Sequence, residues 1–274
     1  MLMKNAIIIP CYNEATRLKL EAYQEFIDNT SDYLLCFAND GSSDNTLDIL
    51  NQFRQGQSDR VLILDLPENV GKAEAVRTAA NVLLSMHHIE TVGYMDADLA
   101  TGFDDYQMLV DVMESGEKQM VFGSRKACSQ TEIERSPFRK LASQAVGLLT
   151  RKIISLDVKD TQCGAKVFSR SVAEVAFRAP FQSRWLFDIE IFIRVKNHLG
   201  KQNVMNSIQE VALNAWEEVE GSKITFKDSI KFPINLIMIA INYNIKPEVL
   251  QLTQMVKSQS QALLRPLLVS TSKI

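Results

Sequence analysis

The feature that most constrains this chain is the alternation of short apolar runs with helical segments across its first half. Ala6 to Ile9 is apolar and closed by Pro10, the pattern of a short buried strand. Leu18 to Ile27 has helical spacing. Tyr33 to Ala38 predicts a second strand, stopped by Asn39-Asp40-Gly41-Ser42-Ser43, and Asp44 is placed to cap a helix through Phe53. Val61 to Leu66 predicts a third strand, and Gly71 precedes a helix over Ala73 to Ser85. Thr91 to Met95 is a fourth strand, followed by a helix from Tyr106 to Glu114 and a strand from Met120 to Gly123. Strand–helix–strand units with short links imply an α/β fold, a Rossmann-like, mostly parallel central sheet with helices on both faces. Ligands of such sheets bind at the carboxyl ends of the strands. Pro10 to Glu14, Asn39 to Asp44 and Asp96 to Asp98 all follow strands, so they should converge.

The second half reads differently. A long helix is expected from Phe138 to Ile154, a polar turn over Asp160 to Lys166, a helix near Phe187 to Leu199 and an extended stretch over Val204 to Ala215. We divide the chain into an α/β domain over 1–223 and a helical C-terminal extension over 224–274. Its 274 residues suit that size. With 46% hydrophobic and 23% charged residues, the chain is neither disordered nor a small disulfide scaffold. A net charge of -3 gives no global basic field, so nucleic acid is not an expected partner. The four cysteines form no CxxC pair, which argues against zinc or iron–sulfur sites and for reduced thiols in the cytoplasm. No apolar run of about 20 residues predicts a spanning helix. Phe232 to Ile245 is uncharged and bracketed by Lys231 and Lys246, and reads either as a buried helix or as one lying on a membrane surface.

The residues with chemistry to offer are mostly carboxylates and cations. Asp96 and Asp98 flank Ala97, and in an extended segment such a pair faces one way. They can share a hard cation, Mg2+ or Mn2+, whose other ligands are phosphate oxygens, or they can be a solvated turn. Asn39 and Asp40 sit in a turn whose short polar side chains can bond a base or ribose. Gly71-Lys72 opens a helix, where backbone N–H groups and an ammonium attract phosphate. The Walker spacing and the dinucleotide glycine pattern are both absent. Ser124-Arg125, with Arg135 and Arg139, forms a basic cluster that can fork onto phosphate or be a solvated helix face. Ser222-Lys223 offers a hydroxyl and an ammonium on a glycine turn. Asp188 and Glu190 are candidate general bases or partners of buried ion pairs.

Taken together, these segments resemble the family 2 glycosyltransferases of GT-A fold. The carriers are Ile7-Ile8-Ile9-Pro10-Cys11-Tyr12-Asn13-Glu14, Asn39 to Asp44, Asn69 to Lys72 and Asp96-Ala97-Asp98. Phe122 to Arg125, Asp160 to Lys166, Arg184 to Glu190 and Trp216 to Lys223 are similar to segments of the dolichyl- and polyprenyl-phosphate β-glucosyltransferases and, next, of the dolichyl-phosphate mannose synthases. The resemblance implies a nucleotide-sugar donor, a divalent metal and inversion at the anomeric carbon. It implies that Pro10, Tyr12, Glu14, Asn39 and Asp40 hold the nucleoside. Gly71, Lys72, Asp96 and Ala97 would border the ribose and diphosphate, with Asp96 and Asp98 at the metal. Ser124, Arg125, Arg135 and Arg139 would receive an acceptor phosphate, and Ser222 and Lys223 would close over the leaving diphosphate. Asp160, Asp188 and Glu190 would position these groups.

The reading is therefore a metal-dependent, inverting transfer of a hexose, glucose from UDP-glucose, to a polyprenyl phosphate at the cytosolic membrane face. A membrane surface or a membrane-protein partner would bring the chain to its acceptor. The alternatives are the same donor site with a soluble or protein acceptor, a non-catalytic nucleotide-sugar-binding protein, and a nucleotidyltransferase. The last lacks its glycine-rich N-terminal phosphate loop here.

Overall fold

The computed structural model describes residues 3–125, 147–216 and 226–243. The chain divides into two compact units, Met1–Gln130 with Lys159–Glu220, and Thr131–Val158 with Gly221–Ile274.

The first unit carries the sheet. Its first half runs β1 (Asn5–Cys11), α1 (Leu20–Asn29), β2 (Tyr33–Asp40), α2 (Thr46–Arg54), β3 (Val61–Leu66), α3 (Lys72–Leu84), β4 (Thr91–Tyr94), α4 (Phe103–Ser115) and β5 (Met120–Ser124). These are the elements that the alternating pattern predicts, with ends shifted by a few residues. The strand order is β3-β2-β1-β4-β6-β5-β7, where β6 is Lys166–Ser169 and β7 is Ile208–Ala212. β1 pairs in parallel with β2 and β4, β2 with β3, and β5 with β7. β6 runs antiparallel to both neighbours, β4 and β5. The sheet is mostly parallel, as expected, and the reversal matters for the site. It puts the start of β6 beside the carboxyl ends of β4 and β5.

Alternation along β1 shows why helices cover both faces. Ile7, Ile9 and Cys11 join Tyr23 and Phe26 of α1 and Tyr106, Leu109 and Val110 of α4 in one apolar cluster. Ile8 points to the opposite face and is fully buried. α3, rich in alanine, packs on β1, β2 and β4, and Ala75, Val76, Ala79, Ala80 and Leu83 are all buried. In the first cluster, the rings of Phe26 and Phe103 stack 4.1 Å apart and Tyr23 meets Phe37 edge-on at 5.1 Å.

Beyond β6 come α6 (Arg170–Ala176), α7 (Phe187–Leu199) and the single turn α8 (Val204–Ser207), which leads into β7. The expected helix over Phe187 to Leu199 is present. The expected extension over Val204 to Ala215 is a correction in part, because its first four residues form a helical turn before the strand begins.

In the second unit, α5 (147–154) is helical and includes the last part of the helix expected from Phe138. α9 (Phe226–Asn242) is the apolar helix of the C-terminal extension. Ile234, Met238 and Ile241 are between 41% and 48% exposed, and their i, i+4, i+7 spacing places them on one helix face. No described helix is long and apolar enough to cross a membrane.

Candidate active site

The loops after β1 and β2 are tied into one rim. Asn13 takes a left-handed conformation (φ 50°), which an asparagine tolerates. Its backbone N–H donates to Ser42 Oγ and its Oδ1 accepts from the Ser43 N–H. The Glu14 N–H donates to Thr46 Oγ1 at 2.8 Å, and the Ala15 N–H donates to Asp44. Asp44, one residue before the N-cap of α2, also accepts from the Thr46 N–H; that N-cap is Asn45 rather than the Asp44 expected from the sequence.

Asn39 and Asp40 end β2 and are buried. Asp40 accepts the N–H groups of Val70 and Gly71 at 2.7 and 2.9 Å. This carboxylate therefore anchors the loop into α3. Burial pushes its pKa up, against those two hydrogen bonds and nearby Arg184. Asn39 donates its amide to Asp65 at 2.7 Å. A carboxylate can only accept, so the amide nitrogen must face Asp65. Asn39 Oδ1 is then left buried without a hydrogen-bond partner among the described residues. Such an orphan acceptor costs about 1–3 kcal/mol.

Lys72 and Asp96 form an ion pair between the start of α3 and the end of β4. Burial works to lower the Lys72 pKa, but the carboxylates of Asp96, Asp188 and Asp98 outweigh it and the pKa is raised. Gly71 has φ 95°, and a Cβ there would run into Arg184. Arg184 folds over the same loop and donates to the carbonyl oxygens of Val70 and Asn69. Gly164 lies against Asp96, where a Cβ would collide with the carboxylate.

After Asp96 the chain turns sharply. The Leu99 N–H donates to the Asp96 carbonyl oxygen and the Ala100 N–H to Asp98 Oδ1, both at 3.1 Å. Leu99 is held at φ 53°, which costs about 1–2 kcal/mol for a residue with a side chain. The buried Tyr23 hydroxyl donates to the Ala97 carbonyl oxygen and fixes the turn from below. Asp98 Oδ2 accepts from Arg17 at 3.1 Å, and Arg17 also pairs with Glu14.

The wall beside Asp96 is a buried charge network. Lys166 is fully buried at the start of β6. Its ammonium donates to the Cys163 carbonyl oxygen at 2.7 Å and to Asp188 Oδ1 at 2.6 Å. The Tyr94 hydroxyl donates to the same carboxylate oxygen. Glu190, also fully buried, accepts from the backbone N–H groups of Gln182 and Ser183 and lies 3.7 Å from Arg194. At the end of β5, Arg125 forks onto Asp160 through Nε at 2.7 Å and Nη2 at 2.9 Å, and lies over the Trp216 ring. Burial would raise the Asp160 pKa, but the guanidinium lowers it below the usual carboxylate range. Ser124 Oγ is buried with no hydrogen-bond partner among the described residues.

The fold thus gathers Glu14, Lys72, Asp96, Ala97, Asp98 and Asp188 around one set of strand ends, with Pro10 near the end of β1, paired with Ala38, and Tyr12 just after it. Arg125 is held by Asp160 as one rigid pair. Arg135, Arg139, Ser222 and Lys223 lie outside the described residues. The sequence reading missed Arg17 and Lys166. Arg17 carries no motif signal, and it meets Asp98 from 81 positions away. Lys166 did carry a signal, since a lysine opening the apolar run Val167-Phe168 needs a buried counter-charge.

The pattern that defines glycosyl transferase family 2 matches residues 6–177. The chain belongs to this family. It is a glycosyltransferase by descent, with the strand-end site just described. Among its relatives is a dolichyl-phosphate β-glucosyltransferase of Dictyostelium discoideum, 31% identical over 253 residues, covering 87% of this chain and 74% of that one. The human dolichyl-phosphate β-glucosyltransferase is 30% identical over 255 residues, covering 87% and 75%. A glucosyl-3-phosphoglycerate synthase from Mycobacterium tuberculosis, in complex with Mn2+ and UDP-glucose, superposes with a TM-score of 0.64 at 16% identity, covering 89% of this chain and 80% of that one. At that identity the likeness is one of GT-A fold.

Proposed function

We propose that this glycosyltransferase moves glucose from UDP-glucose to a polyprenyl or dolichyl phosphate, with inversion at the anomeric carbon. The observation that carries the reading is the state of the two candidate bases. Asp188 is bonded by an ammonium and a phenol. Glu190 is bonded by two backbone N–H groups and is fully buried. Both bonds to Asp188 fall on Oδ1 and both backbone bonds to Glu190 on Oε1, so each carboxylate is held in place by protein donors, as suits a positioning residue more than a base that must reach an acceptor hydroxyl. His87 and His88 follow α3 and His198 closes α7, each at the end of its helix remote from the strand-end site. An acceptor hydroxyl would need a base, whereas a phosphate monoester is already an anionic nucleophile at neutral pH. It needs orientation more than deprotonation. The relatives named as dolichyl-phosphate β-glucosyltransferases point the same way.

The residues fit the donor. Asn39 Oδ1, buried and unsatisfied, suits the imide N–H of a uracil. Lys72 lies where a diphosphate would cross the start of α3. Asp96 and Asp98 supply two hard oxygen ligands. Among the described residues no group of three or more His, Cys, Asp or Glu side chains surrounds a common point. A Mg2+ or Mn2+ ion held by the pair would therefore complete its shell with diphosphate oxygens and water, as magnesium commonly does. Such an ion, when bound, offsets charge on the departing diphosphate. Lys72 adds its own charge there, and Lys223 and Ser222 are proposed to close over the same group. An acceptor phosphate oxygen attacks the anomeric carbon from the side opposite the diphosphate. The new C–O bond forms as the bond to the diphosphate breaks, and UDP leaves with the electron pair. Ser124, Arg125, Arg135 and Arg139 are proposed to hold the acceptor. Arg125 is aimed there by Asp160. The exposed apolar face of α9 supports contact with the membrane surface in which such an acceptor is dissolved.

The test is transfer of label. Purified protein with Mg2+ and a polyprenyl phosphate should carry label from UDP-glucose into the organic phase, and none from GDP-mannose. Transfer from GDP-mannose alone would overturn the donor assignment.

A further inference from the structure

We infer that Arg17 is the internal counter-cation of Asp98, and that it competes with the metal for this carboxylate until a diphosphate draws it away. The inference rests on the donor-site reading above. Three observations carry it. First, Arg17 donates to Asp98 Oδ2 at 3.1 Å while Asp98 Oδ1 is already engaged by the Ala100 N–H. The guanidinium thus takes the oxygen that a metal would need. Second, the arrangement is built rather than incidental. The Arg17 N–H closes a turn onto the Glu14 carbonyl oxygen at 2.9 Å, the Arg17 side chain braces on the Glu14 carboxylate, and the loop is pinned to residues 42–46 through Asn13, Glu14 and Ala15. Arg17 and Asp98 are only 20% and 23% exposed. Third, Asp96 has its own cation in Lys72. Each carboxylate of the pair is therefore neutralised by the protein itself.

The physical consequence is linkage. A metal arriving alone must displace the guanidinium from Asp98 and leave it with the Glu14 carboxylate that it already holds. A nucleoside diphosphate supplies a further anion, since Arg forks onto phosphate oxygens as readily as onto carboxylate. Metal and diphosphate then strengthen each other's binding, reciprocally. Arg17 acts as a positioning residue that sets the order of assembly. It keeps the metal off the site until the donor is present.

The experiment reads Mn2+ binding by the loss of its free-ion paramagnetic resonance signal, with and without UDP, and needs no turnover. A unit charge about 3 Å from the carboxylate is worth about a factor of ten even in water-like screening. Arg17→Gln should therefore bind Mn2+ about tenfold tighter than wild type without UDP. The difference should shrink when UDP is added, and Arg17→Lys should behave as wild type. Equal or weaker Mn2+ binding by Arg17→Gln without UDP would overturn the inference, even if wild type binds Mn2+ well with UDP. If wild type binds no Mn2+ with UDP either, the donor-site reading fails and this inference with it. A second measurement covers the case in which Arg17→Gln does not fold. In wild type, the Arg17 Nε–H resonance, assigned against Arg17→Lys, should move when Mg2+ and UDP are added together. An unchanged resonance in protein that has bound both would contradict displacement.

Discussion

At the residue scale the site works by close approach and by charges already matched. Gly164 shows the first. Its missing Cβ leaves room for the Asp96 carboxylate. Gly164→Ala should push Asp96 off its position, lowering turnover and Mn2+ affinity while far-ultraviolet circular dichroism stays native. Unchanged kinetics would mean that the carboxylate has room to move. Asp98→Ala should lower turnover by about 100- to 1,000-fold, the usual loss when charge stabilisation in a transition state is removed. Near-normal turnover with a verified metal requirement would remove Asp98 from the metal. Asn39→Leu should weaken UDP binding about fivefold, because one neutral hydrogen bond is worth about 1 kcal/mol and the apolar variant cannot accept it. Calorimetry would read that directly, and unchanged affinity would rule out Asn39 Oδ1 as a base contact. Arg17 shows where one-dimensional reading ends. Its neighbours Tyr12 to Glu14 are recognisable as a motif, but an arginine gains its role by meeting Asp98 in space. Asp40 shows the converse. The sequence singled it out for the nucleoside, and the structure spends its two oxygens on the Val70 and Gly71 backbone.

At the element scale the site depends on strands that deliver their carboxyl ends to one edge. The first five strands and their helices were legible because each apolar run is long enough to be buried and each break is polar. The reversal of β6 was not legible, since Val167-Phe168 is too short a run to carry a direction. It is set by pairing with β4 and β5 on either side. The Arg125–Asp160 pair locks the end of β5 to the loop before β6. With its folded-state pKa depressed, Asp160 contributes stability that is fully present above its unfolded value of about 4. That contribution is lost as pH falls through the lower, folded value. Urea melts between pH 3 and 7 should show this acid loss in wild type and less of it in Asp160→Asn. The variant should be about 2–3 kcal/mol less stable at pH 7, below the full cost of breaking a buried pair because Arg125 is partly exposed. Identical acid limbs would mean that the pair does not hold this edge. In α9, Met238→Glu places a charge in the exposed stripe. It should reduce co-sedimentation with anionic liposomes without changing UDP binding, and equal sedimentation would leave membrane contact to other segments.

At the scale of the whole molecule, one α/β sheet presents the proposed donor site, whose carboxylates already have cations and whose candidate bases already have donors. That arrangement suits transfer to a nucleophile that brings its own negative charge. The convergence of Glu14, Asn39, Asp40, Asp96 and Asp98 at the strand ends was readable from clusters that follow strands. The acceptor class came from the resemblance, and what the sequence did not show is which partners Asp188 and Glu190 meet across the fold. The most direct test sets polyprenyl phosphate against the corresponding polyprenol, with labelled UDP-glucose and Mg2+. Label should appear in the lipid product from the phosphate and none above background from the alcohol. Comparable transfer to the alcohol would require a working base and would contradict an acceptor that brings its own negative charge.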